Sequence, residues 1–319
     1  MKLQTKIPLK AQRHNQINYN SDVVLLGSCF VENIGNKLDY FKFRNIQNPF
    51  GILFHPLAIE KLITNAINKK EYTEHDIFFH NEVWQCYDAH SNLNKTSKHD
   101  LLNALNTQIS AVHEKINTSS HIIITLGTAW VYRQIESDLI VANCHKVPQK
   151  KFLKELLLVD EIIELLQSMT ALIKSVNKEA VIMFTVSPIR HLKDGFIENT
   201  QSKAHLISAI HSNISSQSKS SGLYYFPSYE IMMDELRDYR FYAEDMIHPN
   251  QIAVNYIWEK FKQVWISKDV LKTMDEVEAI QKGLSHKSFN SKSEAHQQFL
   301  FKINEKQSLL KEKFPYIQF

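Results

Sequence analysis

Four short runs of unbroken aliphatic, β-branched or aromatic residues constrain this chain more than any other feature: Asp22–Gly27 (DVVLLG), His121–Gly127 (HIIITLG), Ala180–Val186 (AVIMFTV) and Leu223–Phe226 (LYYF). Runs of this length, with turn residues at their ends, read as strands buried on both faces, and such strands belong to parallel sheets. Between and around them lie segments with apolar residues at helical spacing: Val31–Phe41, Pro56–Asn68, Asp100–Ile116, Phe152–Val176, Thr200–Ser218 and Gln251–Ile266, the last opened by Pro249. The alternation implies βαβ units around a parallel sheet, an α/β fold with helices on both faces. Lys42–Ile46 is expected to add a short strand closed by Asn48-Pro49 and Gly51, Ile77–Tyr87 a hairpin insertion turning at Asn81-Glu82, and Val131–Val141 a smaller β segment. Past Trp265 the texture becomes rich in Lys, Glu, Gln and Ser, so residues 1–266 read as the main domain and 267–319 as a helical C-terminal extension.

Composition narrows the function classes. Only 7 of 319 residues are glycine, which argues against a glycine-looped nucleotide site. Lys and Arg exceed Asp and Glu by 37 − 34 = 3, too little to draw in nucleic acid or an anionic membrane. The longest apolar run, Ile122–Tyr132, is shorter than the ~18 residues of a spanning helix. Lys2, Lys6, Lys10 and Arg13 come with no apolar segment of a secretory signal, and the three scattered cysteines Cys29, Cys86 and Cys144 suit free thiols. A cytoplasmic protein without nucleic-acid or membrane partners is therefore expected, and no cofactor is called for. His75, His80 and His90 have no ligand spacing with the cysteines, so no metal site is expected.

Ligands of parallel sheets collect at the carboxyl ends of the strands. There the sequence places Gly27-Ser28-Cys29-Phe30, Gly127-Thr128-Ala129-Trp130 and Ser187-Pro188-Ile189-Arg190-His191, with Asp245-Met246-Ile247-His248-Pro249-Asn250 before the closing helix. A serine on the tight turn after the first strand meets the N–H groups and positive dipole end of the next helix, which favour an oxyanion. On that turn alone the reading of Ser28 as a helix cap is favoured. The Asp245–His248 pair changes the balance. A hydroxyl nucleophile needs a base, and the base an orienting carboxylate: Asp245 accepts the Nδ1–H while Nε2 faces Ser28. Cys29 cannot face the pocket together with its neighbour and is assigned to packing under the turn. Arg190 and His191 are candidate substrate contacts, and Trp84 and Trp130 candidate aromatic walls.

The Gly27-Ser28-Cys29-Phe30 block and the closing Asp245-x-x-His248 resemble the GSCFA family, a branch of the SGNH/GDSL-type hydrolases. The similarity runs over roughly residues 20–265, with further stretches at Asn48-Pro49-Phe50-Gly51, Leu126–Trp130 and Asn143-Cys144-His145-Lys146. The resemblance implies a flavodoxin-like three-layer α/β fold and Ser-His-Asp ester hydrolysis. It makes Ser28 the nucleophile, His248 the base and Asp245 its orienter, with Ser28 and Gly51 in the oxyanion hole. The chain has no acid directly after Gly27, where the GDSL pattern has one, and no asparagine in Gly127-Thr128-Ala129. Thr128 is the candidate third donor, with Asn48 or Asn143 as alternatives, and His145 joins the candidate substrate contacts. The implied reaction is hydrolysis of a small-molecule or glycan ester, such as an O-acetyl ester, through an acyl-serine. Acyl transfer by the same triad, or a non-catalytic scaffold on the same fold, are the alternatives.

Overall fold

The computed structural model describes residues 4–217, 221–286, 289–290 and 293–319. Lys2 and Ser218, invoked above, lie outside the described residues. The four buried runs form β1 (Asp22–Gly27), β5 (His121–Leu126), β9 (Val181–Val186) and β10 (Leu223–Phe226), and β2 (Arg44–Gln47) joins them in one five-stranded sheet. Its order is β10-β9-β5-β1-β2 and every pairing is parallel.

Strand alternation builds two cores from one sheet. Val24, Leu26, Ile122, Ile124, Ile182 and Phe184 point to one face. They meet Ile59 and Ile63 of α2 (Pro56–Ile67), Leu101 and Leu105 of α3 (Lys98–Thr118), Leu166 of α4 (Val159–Val176) and Leu206 of α5 (Phe196–Ser216). Val23, Leu25, Ile123, Val181 and Met183 point the other way, onto α1 (Phe30–Tyr40) and α7 (Gln251–Trp265). Each such buried side chain contributes roughly 1.5–3 kcal/mol, so a three-layer arrangement is the one that uses both sets. The helices α8 (Leu271–Ser285) and α9 (Glu294–Lys313) add Val277, Ile280, Ile303 and Leu310 to this second core.

The hairpin β3 (Phe78–His80) and β4 (Val83–Gln85) turns at Asn81 and Glu82, both at positive φ (50° and 61°), as a two-residue hairpin with right-handed strand twist requires. Two expectations change. Phe152–Leu156 is not the start of a helix but strand β8, antiparallel to β6 (Trp130–Gln134), which also pairs β7 (Ile140–Val141). Helix α4 begins only at Val159, where Glu161 accepts the Leu158 N–H at 2.6 Å. Pro249 does not open α7: Asn250 caps it, its Oδ1 accepting the N–H groups of Ile252 and Ala253 at 3.1 Å each. The three-residue helix α6 (Ser228–Glu230) follows β10 and runs into a π-helical turn, Ile231–Glu235.

Candidate active site

The turn after β1 decides which side chain reaches the surface. Gly27 has φ +131°, and a Cβ there would lie 2.1 Å from the Thr125 carbonyl oxygen, so only glycine fits. The Ser28 N–H donates to Thr125 O at 3.0 Å and the Ser28 carbonyl accepts from Val31 at 2.9 Å. These bonds turn the Ser28 side chain inward: it is 0% exposed, and its Oγ accepts the Phe30 N–H at 3.3 Å. Cys29 comes next, as the N-cap residue of α1, and it is Cys29 that reaches the rim of the sheet. The two neighbours do face opposite ways, but in the reverse of the expected assignment.

The opposite pole is the loop before α7. Met246 takes a positive φ of 57°, which folds Asp245 back over the next two residues. One Asp245 carboxylate oxygen accepts the N–H groups of Ile247 (2.9 Å) and His248 (3.0 Å), and the other accepts His248 Nδ1–H at 2.6 Å. Those donors, backbone first, hold the Asp245 carboxyl down at about 2. With its proton on Nδ1, the imidazole leaves Nε2 as a base, and Nε2 lies 3.9 Å from Cys29 Sγ. Burial, reinforced by Glu32, pushes the Cys29 thiol up to about 11, so the sulfur carries its proton at neutral pH until a base removes it. Arg190 ties the loop to the end of β9: its guanidinium donates to Met246 O at 2.9 Å and its N–H to Ile247 O at 3.2 Å. Cys29 and His248 open on a cavity of about 480 Å³.

Both poles of this site fall within one family match: the GSCFA family model covers residues 22–261. The chain belongs to the GSCFA family. A second match, to the C-terminal domain of GSCFA domain proteins, covers residues 277–319, the stretch that holds most of α8 and all of α9. No curated protein matches the chain.

In this GSCFA protein the remaining expected site residues divide cleanly. Thr128, Trp130, Asn143, Arg190 and His191 line the cavity. Gly51, Asn48, His145 and Trp84 do not. Gly51, at φ +71°, closes a turn by donating its N–H to Asn48 O at 2.7 Å, so that group is not free for an oxyanion. Asn48 braces β1, its Oδ1 accepting the Gly27 N–H at 2.9 Å. His145 is buried in the insertion, bonded through Nε2 to Cys86 O at 2.7 Å with Phe78 edge-on to its ring. Trp84 lies on the hairpin, against Phe79 and under Lys98.

Thr128 is present but committed. Its N–H goes to Phe54 O (3.1 Å), while its hydroxyl pairs Ser202 Oγ (3.0 Å) and accepts from Trp130 (3.1 Å). The Ser28 N–H is likewise spent on Thr125 and the Phe30 N–H on Ser28 Oγ at 3.3 Å, while the backbone at the start of α1 partly offsets the burial of the Cys29 thiol. His191 is kept neutral, its pKa pushed by burial down to about 3. Cavity residues that sequence reasoning passed over include Phe54, Tyr132 and Asp194. Among the described residues no group of three or more His, Cys, Asp or Glu side chains gathers to hold a metal, and no helix is long and apolar enough to cross a membrane.

Proposed function

We propose that the protein is an acyl-ester hydrolase whose nucleophile is Cys29, with His248 as base and Asp245 as its orienter. One observation carries the reading: Cys29 Sγ faces His248 Nε2 at 3.9 Å while Nδ1 is held by Asp245 at 2.6 Å. The expected nucleophile, Ser28, lacks access, being fully buried. The GDSL spacing supports the same residue, since its serine stands two positions after the glycine, where this chain has Cys29.

His248 Nε2 takes the thiol proton and the sulfur attacks the acyl carbonyl, forming a C–S bond and an oxyanion. The positive N-terminal end of α1, beginning at Cys29 and Phe30, favours that charge. Collapse breaks the C–O bond, and the imidazolium returns its proton to the departing alcohol. Water, deprotonated by the same nitrogen, then cleaves the acyl-thioester to release the acid and the thiol. The His248 side chain is 48% exposed, which favours water over a second alcohol as acceptor. A cavity of about 480 Å³, walled by Phe54, Trp130 and Tyr132 beside Arg190 and Asp194, suits a small acyl ester of a polar alcohol, the glycan esters among them.

The test is to incubate the protein with p-nitrophenyl acetate, quench, and map the acetyl group by mass spectrometry. Acetyl on Cys29 is the expected result, with nitrophenol release abolished in Cys29→Ala and His248→Ala and retained in Ser28→Ala. Acetyl on Ser28, or turnover that survives Cys29→Ala, overturns the assignment.

A further inference from the structure

Beneath the cavity lies a lysine that the triad does not use. Lys203 of α5 is 1% exposed, and its Nζ donates to Gly127 O at 2.6 Å and Ser187 O at 2.8 Å. These carbonyls directly follow β5 and β9, so the amine sits under the sheet rim that carries the site. Gly127 itself packs against that rim: a Cβ there would lie 3.2 Å from both Ser28 Cβ and His191 Nε2. Buried charges are normally paired. Among the described residues no carboxylate forms an ion pair with Lys203, and the ring of Tyr229, 5.8 Å away, is a weak substitute.

Lys203 is bonded to Gly127, which packs against Ser28, and the next residue is Cys29, whose thiol lines the cavity; the negative form of that thiol is the charge placed to attract the buried amine. The attraction is mutual: Lys203 pulls the thiol down against burial and Glu32. Of the other titratable groups here, His191 feels both Lys203 and His248 but stays neutral, and burial pushes Lys203 itself down to about 7. Two carbonyl acceptors satisfy two of the three donors of an ammonium, leaving room for a charge partner that exists only when the thiol has lost its proton.

We propose that Lys203 is a positioning residue of the site, the buried counter-cation of the Cys29 thiolate. The proposal rests on Cys29 being the nucleophile and concerns the step in which His248 removes its proton; no bond to Lys203 forms or breaks. Charge on one partner favours charge on the other, so the two titrations are coupled.

The test measures iodoacetamide alkylation of Cys29 by peptide mass spectrometry across a pH series. In Lys203→Met the midpoint should rise, and below it the rate should fall about tenfold, as expected for loss of a nearby opposite charge. Lys203→Arg should stay near the parent. An unchanged midpoint in folded Lys203→Met overturns the proposal. A second readout leaves Lys203 in place: with ¹³Cε-lysine labelling, the Lys203 resonance should titrate at lower pH in Cys29→Ala than in the parent, and identical titrations refute the pairing. Neither readout involves ester turnover, so a protein that fails to hydrolyse esters would leave this result standing.

Discussion

Replacing Asn48 by alanine separates the two roles that residue could have had. Three bonds converge on it: its Oδ1 accepts Gly27 N–H at 2.9 Å, its N–H donates to Leu25 O at 2.9 Å, and its carbonyl accepts Gly51 N–H at 2.7 Å. Its φ is +42°, a left-handed conformation that asparagine tolerates and alanine does not. In Asn48→Ala the Gly27 N–H, in the buried turn behind Ser28, loses its acceptor at a cost of about 1–3 kcal/mol. The alanine backbone adds about 1 kcal/mol of strain at that φ. Part is returned, because the Asn48 Nδ2 is itself buried without a partner and its removal relieves that burden. The net expectation is a loss of about 2 kcal/mol, with Asn48→Gly less affected than Asn48→Ala by roughly 1 kcal/mol since glycine carries no strain there.

Urea unfolding, followed by tryptophan fluorescence and far-ultraviolet circular dichroism, measures both differences from shifts in midpoint at constant slope. Because Asn48 lies outside the cavity, KM for a nitrophenyl ester should not change. Stability within about 0.5 kcal/mol of the parent, or glycine as damaging as alanine, would refute the reasoning. A raised KM at unchanged stability would restore Asn48 to the substrate contacts.

Two other predictions follow from the same geometry. Burial pushes His55 from its ordinary 6.5 down to about 4 and His191 to about 3, so below 6.5 the unfolded chain binds protons that the native protein refuses. Stability must then fall with pH through that window, by up to about 3 kcal/mol from His55 alone, and urea midpoints that stay level from about pH 7 to about pH 5 would contradict this. Asp245→Asn should leave the urea midpoint nearly unchanged, the side chain being 45% exposed, yet lower kcat by roughly 10²–10⁴ by misplacing the Nδ1 proton; a kcat within threefold or so of the parent would show that Asp245 does not orient His248. Since the carboxyl titrates at about 2, loss of activity at mildly acid pH in the parent would not come from Asp245.

The sheet was legible because its strands are buried on both faces: Val23 and Val24, Ile122 and Ile123 are apolar whichever way they point, so composition alone betrays them. Phe152–Leu156 was not, because FLKEL is short, half exposed and continuous with a real helix; its partner β6 lies some twenty residues upstream, and only that pairing makes it a strand. The placement of the two poles was readable from local spacing and topology instead. Asp245 and His248 are close in sequence, and a residue after the first strand must lie at the carboxyl rim.

Which of two adjacent residues reaches that rim is a different kind of question. Period-two reasoning says that Ser28 and Cys29 face opposite ways, but it cannot say which way is out. The answer comes from Thr125, almost a hundred residues on, whose carbonyl takes the Ser28 N–H at 3.0 Å and rolls that side chain into the core. At this fully buried position the Ser28 hydroxyl accepts the Phe30 N–H at 3.3 Å, a local bond that holds the start of α1. A small polar residue at 28 therefore serves the turn, which leaves position 29, on the cavity, for the proposed nucleophile. The sulfur there is large and polarisable enough to span to an imidazole 3.9 Å away, a separation at which a hydroxyl would make no hydrogen bond. Swapping in serine at 29 would therefore require the His248 loop to move inward, against the tether that Arg190 places on Met246 and Ile247.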